Sequence, residues 1–180
     1  VVNGVGIGVN ICEDIWYEAE PVIAQAHSGA EVIVNISASP YHAGKRNMRE
    51  KMLSSHAAET ASIVVFTNMV GGQDELVFDG NSMVFDEKGE LIAQGKQFEE
   101  DLVVLDLDLD SVSLTRLNDS RRRKEALSKQ SSKLPSPTIL VSKTAIGGVK
   151  KSLPRSVIPS HNLHAEIYGA LVLGTRDYVR

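Results

Sequence analysis

Apolar residues in the first part of the chain fall into three short β-branched runs with amphipathic stretches between them. Val5 to Ile11 alternates small and branched residues and predicts a buried strand. Glu31 to Ile36 (EVIVNI) and Ile63 to Asn68 (IVVFTN) predict two more core strands. Glu18 to His27 has helical spacing, with Pro21 in its first turn and Gly29 just past its end. Lys45 to Ala61 predicts a long helix whose stripe is Met48, Met52, Leu53, His56 and Ala57. Ser37–Gly44 and Met69–Gly80 read as loops. Ser82–Phe85 and Leu91–Gln94 flank a Gly-containing turn and predict a hairpin. Asp101 to Leu109 reads as a half-exposed strand, and Asp110 to about Leu127 as a polar helix.

Strands alternating with helices imply parallel pairing, while the hairpin and the last strand add antiparallel members. The expected fold class is therefore α/β or α+β: helices layered over a mixed sheet. Ser128 to Ser160 has a different character. Pro135, Pro137, Pro154 and Pro159, with many Ser and Lys, give it linker composition. A helical pattern resumes from about Asn162 to Arg180.

Composition narrows the function classes. The 180 residues carry a formal net charge of −4, which gives no electrostatic reason for a nucleic-acid partner or a membrane surface. No apolar run approaches the roughly 20 residues that span a bilayer. One cysteine excludes an internal disulfide and fits a reducing, cytoplasmic setting. The chain opens without Met inside a strand pattern and stops within a helical one, so a segment of a longer protein is expected.

That one cysteine is the strongest chemical candidate. Cys12 ends a core strand and is followed by Glu13, Asp14, Ile15 and Trp16. α/β folds place reactive groups at such strand ends, where the side chain emerges at the carboxyl edge of the sheet and turn N–H groups favour an anion. A sulfur attacking an amide carbon there forms an oxyanion and then a thioester. The plainer alternative is a small buried thiol filling the core.

Ile11–Trp16 (ICEDIW) resembles the nucleophile segment of the nitrilase superfamily, and most of all the glutaminase branch found in glutamine-dependent NAD synthetases. Asn35–Pro40 (NISASP), Asn68–Gly72 (NMVGG), Phe78–Ser82 (FDGNS) and Phe85–Gly89 (FDEKG) resemble the later strands, loops and hairpin of that superfamily, in order. Glu166 to Tyr178 resembles the helix that opens the synthetase domain. The resemblance implies part of a nitrilase-type αββα sandwich over residues 1–127, a linker over 128–160, and the start of an NAD synthetase domain over 161–180. It places Ser39 and Lys45 as contacts for L-glutamine, and a cation suits the α-carboxylate of that substrate. On residue chemistry alone, Ser39 before Pro40 also fits a plain turn, and Lys45 a solvated first helical turn. Glu13 and Asp14 either orient the nucleophile or cap the following turn. Trp16 either walls the pocket or belongs to the core, and His42 is a further pocket candidate. The five histidines lack metal-ligand spacing, and Arg121–Lys124 (RRRK) reads as a solvated run.

The superfamily's chemistry also uses a Glu base and a Lys oxyanion donor upstream of the cysteine. None is present among the eleven residues before Cys12. The resemblance therefore implies a segment that is inactive alone, from an enzyme that hydrolyses glutamine and uses the ammonia to amidate deamido-NAD. ATP and Mg2+ are expected in the synthetase domain, and a homo-oligomer is implied. The rival expectations are another nitrilase-type amidase or carbamoylase, and a nitrilase-like scaffold without activity.

Overall fold

The computed structural model describes residues 1–17, 21–119, 138–144 and 152–179. β1 (Ile7–Ile11), β2 (Val32–Ser37) and β3 (Ile63–Asn68) pair in parallel, with Asn10 opposite Asn35 and Ile36 opposite Thr67. β6 (Met83–Phe85) runs antiparallel to β3, and β7 (Leu91–Gln94) antiparallel to β6. β8 (Ser156–Val157) closes the far edge parallel to β7, which gives the order β1-β2-β3-β6-β7-β8. The mixed α/β architecture is the one the alternating pattern implied.

Pleating sends alternate residues to opposite faces of this sheet. One face carries Ile33, Val64, Phe66, Met83 and Phe85 against α1 (Val22–His27) and α2 (Lys45–Thr60), through Val22, Leu53 and Ala57. The other carries Val32, Ile63, Val84, Ile92 and Ala93 against Val112 of α3 (Leu109–Asn118). Near β1 this second face is bare: Val9, Ile11 and Ile36 are all more than half exposed. That is the face a second sheet covers in a sandwich.

Several elements differ from the pattern reading. Residues 69–80 form a hairpin, β4 (Val70–Gln73) and β5 (Leu76–Asp79), rather than a loop. Gly71 and Gly72 interrupt the alternation that marks a strand. Residues 101–108 form no strand and pair with none among the described residues, and Leu109 already opens α3. The alternation is real, because Val103, Leu105, Leu107 and Leu109 pack on the second core face while their neighbours face solvent. The stripe of α2 is also displaced, with Met48 exposed and Arg49 fully buried. α1 begins at Val22, and Glu18–Glu20 lie outside the described residues, as do the parts of the expected helix and linker at 120–137 and 145–151.

α4 (Leu163–Val179) packs on β4 and β5. Ala170 and Leu173 join Phe98, Val70 and Val77 in a third apolar cluster. The Gly72 N–H donates to Asp177 Oδ2 at 2.8 Å. Backbones meet closely there, since a Cβ on Gly72 lies 3.0 Å from Gly174 Cα. No helix among the described residues is long and apolar enough to cross a membrane.

Candidate active site

β1 leads directly into a 3-10 turn at Cys12–Trp16. The turn is closed by its own sequence: the Ile11 N–H donates to Asp14 Oδ2 at 2.8 Å, and Ile15 drops fully into the core. Asp14 therefore caps, while Glu13 stays exposed. Cys12 has φ +49°, in the left-handed region that a side chain rarely occupies. Such a residue costs on the order of 1–3 kcal/mol and persists where its surroundings over-determine it.

Those surroundings are polar and buried. Asn35 donates to the Cys12 carbonyl at 3.3 Å and to Asn10 Oδ1 at 2.6 Å, and accepts from Ser37 Oγ at 2.8 Å. Asn10 in turn donates to Gln25 Oε1, and Gln25 donates back to the Val9 carbonyl. On the far side of the turn, His56 Nε2 donates to the Ile15 carbonyl at 2.8 Å. Both ends of the cysteine turn are thus anchored to buried groups on β2 and α2.

Lys45 opens α2, next to a left-handed Gly44. Its ammonium donates to the Pro40 carbonyl at 2.8 Å and sits 5.4 Å from the Trp16 ring centroid. Burial pushes the ammonium below the usual lysine range, and the Arg49 charge adds to this; Asp79 and Cys12 pull the other way. Trp16 is half-buried against the core, with the Lys45 cation over its ring.

Ser39 is buried in the loop between β2 and α2. Its N–H donates to Asn68 Oδ1 at 2.9 Å, and its hydroxyl accepts from Arg49 Nη2 at 3.4 Å. Arg49 is the centre that the sequence reading missed. It is 0% exposed, and its Nη1 and Nη2 both donate to Asp79 at 3.2 Å. Asn68 Nδ2 bridges Asp79 Oδ1, the Gly80 carbonyl and the Ser39 carbonyl. The available signal was an arginine four residues after Lys45, together with Asp79 and Asn68 inside two motifs already noted. His42 is exposed; its Nδ1 lies 3.2 Å from the Ala43 carbonyl, and its own carbonyl accepts from the Lys45 N–H at 3.0 Å.

Two cavities of about 490 and 750 Å³ include Asn68 and Gln25 respectively in their walls, but neither is lined by Cys12, Ser39, Lys45 or Arg49. The candidate site is defined by side-chain geometry at the carboxyl ends of β1 and β2. A sulfur on a strained turn, a cation and a buried hydroxyl suit nucleophilic attack on a substrate that carries a carboxylate.

Residues 2–117 match the carbon-nitrogen hydrolase family, and the chain belongs to that family. Within it, the chain is 41% identical to the glutamine-dependent NAD(+) synthetase of Aquifex aeolicus over 179 residues, covering 99% of this chain and 30% of that protein. The same-named protein of Thermotoga maritima is also 41% identical, over 183 residues and the same shares. The solved structure of the glutamine-dependent NAD+ synthetase of Acinetobacter baumannii, in complex with ADP, superposes with a TM-score of 0.68 at 31% identity. That match covers 98% of this chain and 26% of that one. The chain thus spans about 30% of the length of the curated relatives it matches.

Proposed function

We propose that this chain is the nucleophile-bearing part of the glutaminase half of a glutamine-dependent NAD synthetase. The observation that carries the reading is the Cys12 turn, strained at φ +49°, anchored at both ends and carrying the Lys45 ammonium over its Trp16 ring. The Cys12 sulfur attacks the side-chain amide carbon of L-glutamine. The amide nitrogen leaves as ammonia, taking up a proton, and the γ-glutamyl thioester that remains on sulfur is hydrolysed to glutamate. Lys45 binds the α-carboxylate, and Ser39 supplies a hydroxyl to the same substrate. In this reading the Glu base and Lys oxyanion donor that the resemblance implies come from outside these 180 residues. So does the ATP- and Mg2+-dependent amidation of deamido-NAD that consumes the ammonia.

Under this reading, residues 1–127 form glutaminase sandwich, 128–160 a connection, and 161–180 the first helix of the synthetase domain, in a cytoplasmic homo-oligomer. The segment alone releases no ammonia, because interdependent catalytic groups lose most of their effect when separated. A stand-alone amidase or an inactive scaffold is the weaker reading, because the similarity to NAD synthetases runs over 99% of the chain and includes α4.

Cys12→Ala in the full-length enzyme tests the proposal. Glutamine-dependent NAD formation is expected to vanish while ammonia-dependent formation persists; equal loss with both donors contradicts it.

A further inference from the structure

We infer that the buried Arg49–Asp79 pair is a positioning device for the glutamine pocket: it turns Ser39 into a hydrogen-bond donor aimed at substrate and leaves the carboxylate to the charge of Lys45, whose ammonium is held by the Pro40 carbonyl. This rests on the glutaminase reading of the site and assigns roles to two residues outside it.

Stability alone gives a poor reason for the pair. Two charges buried to 0% and 1% side-chain exposure incur a desolvation cost that apolar residues of similar volume avoid. What the pair does is geometric. Arg49 lies on α2 one turn beyond Lys45, so both residues share one helix face. Asp79 ends β5, and Asn68 ends β3 beside it. Ser39 sits in the loop that feeds α2. The guanidinium fork and the Asn68 amide therefore tie four chain segments to a single point, and two of those segments carry the proposed substrate contacts.

The direction of the hydrogen bonds supplies the second step. Ser39 Oγ accepts from Arg49 Nη2, and among the described residues its own proton has no acceptor. A hydroxyl that accepts from a cation is polarised to donate, so it matches an oxygen of the substrate and mismatches a substrate N–H. Asp79 meanwhile occupies the guanidinium fork with three contacts. Arg49 is thereby prevented from binding a substrate carboxylate itself. Its positive charge also adds to the burial that pushes the Lys45 ammonium below the usual range.

The test uses the full-length enzyme with Arg49→Lys, Asp79→Asn, Ser39→Ala and the Arg49→Lys/Ser39→Ala double variant. Three readings are taken: KM for glutamine, turnover with ammonia, and the rate at which iodoacetamide alkylates Cys12 without glutamine. Arg49→Lys keeps the charge but loses the fork. It is expected to raise KM for glutamine about tenfold, while ammonia turnover and Cys12 alkylation stay within about twofold. The double variant is expected to be no worse than the worse single one, because both changes remove the same contact. An unchanged KM, equal loss with both donors, or additive effects overturns the inference. If Arg49→Lys does not fold, Asp79→Asn carries the same readings; failure of both to fold assigns the pair to stability and also overturns it. Retained glutamine use by Cys12→Ala overturns the glutaminase reading itself, which separates the two failures.

Discussion

The Nζ of Lys45 lies 5.4 Å from the centroid of the Trp16 ring, so a cation from the start of α2 rests on the turn that begins at Cys12. The two residues are 29 positions apart and meet because β1 and β2 pair in register. If this cation holds the α-carboxylate of glutamine, Lys45→Met removes a charge-assisted contact of about 1.5–3 kcal/mol. Steady-state assays with glutamine should show KM raised about ten- to a hundredfold, with ammonia-dependent turnover unchanged. Lys45→Arg should recover most of the loss. An unchanged KM in Lys45→Met removes Lys45 from the pocket.

The same lysine makes the pocket sensitive to pH. Burial, then Arg49, lowers its proton affinity in the folded state, so the neutral amine appears at a lower pH than in an unfolded chain. Glutamine binding through the charged form is therefore lost as pH rises through the lowered value, below the ordinary lysine range. KM for glutamine should climb on the alkaline side in the native enzyme and climb less in Lys45→Arg. The substrate's own amino group titrates in both proteins, so the difference between the two profiles isolates Lys45. Stability has the same sign logic. The lowered lysine favours the folded state more as pH rises from the folded value toward the unfolded one.

Beneath the nucleophile, Asn35 holds the Cys12 carbonyl and Asn10. Asn35→Leu strands those acceptors and the Ser37 hydroxyl, at a cost of about 1–3 kcal/mol for a buried group left without its partner. Thermal denaturation should report that loss. Because the left-handed backbone at Cys12 loses its anchor, glutamine turnover should fall further than the same destabilisation elsewhere produces. An Asn35→Leu enzyme with unaltered glutamine turnover contradicts the account of the turn.

Helix α4 offers a test remote from the sulfur. A Cβ on Gly72 lies 3.0 Å from Gly174 Cα and 3.4 Å from Asp177 Cβ, so Gly72→Ala pushes helix backbone away from β4. Overpacking of this kind costs about 1–3 kcal/mol. Limited proteolysis should cut nearer α4 in the variant, with the melting temperature lowered. If neither changes, α4 does not pack on the hairpin as described.

How much of this was legible depended on whether the signal was local. The three core strands were readable because their β-branched runs are long and bounded by turn residues. Cys12 was readable as a candidate because its words, ICEDIW, follow such a run. Its left-handed φ was not: no glycine marks the position, and the constraint comes from Asn35, 23 residues away. Arg49 had no place in the predicted stripe, because a charge between Met48 and Glu50 carries no core signal until Asp79, 30 residues on, is brought against it. β4 and β5 were hidden by Gly71 and Gly72, which pack under a helix that arrives a hundred residues later. Along Asp101–Leu109 the alternation correctly reported which side chains are covered. It could not report whether the backbone pairs, because that requires a neighbouring strand. Ser39 and Lys45 came from resemblance, and the Arg49 contact to Ser39, from the helix that Lys45 opens, was absent from it.

The most direct measurement is of the covalent intermediate. Full-length enzyme is mixed with isotopically labelled glutamine, quenched in acid within a turnover, digested and mapped by mass spectrometry. The account predicts a γ-glutamyl group on the peptide carrying Cys12, released by hydroxylamine as the hydroxamate and absent from Cys12→Ala. Glutamine-dependent turnover with no label ever appearing on Cys12, or with label on another residue, contradicts it.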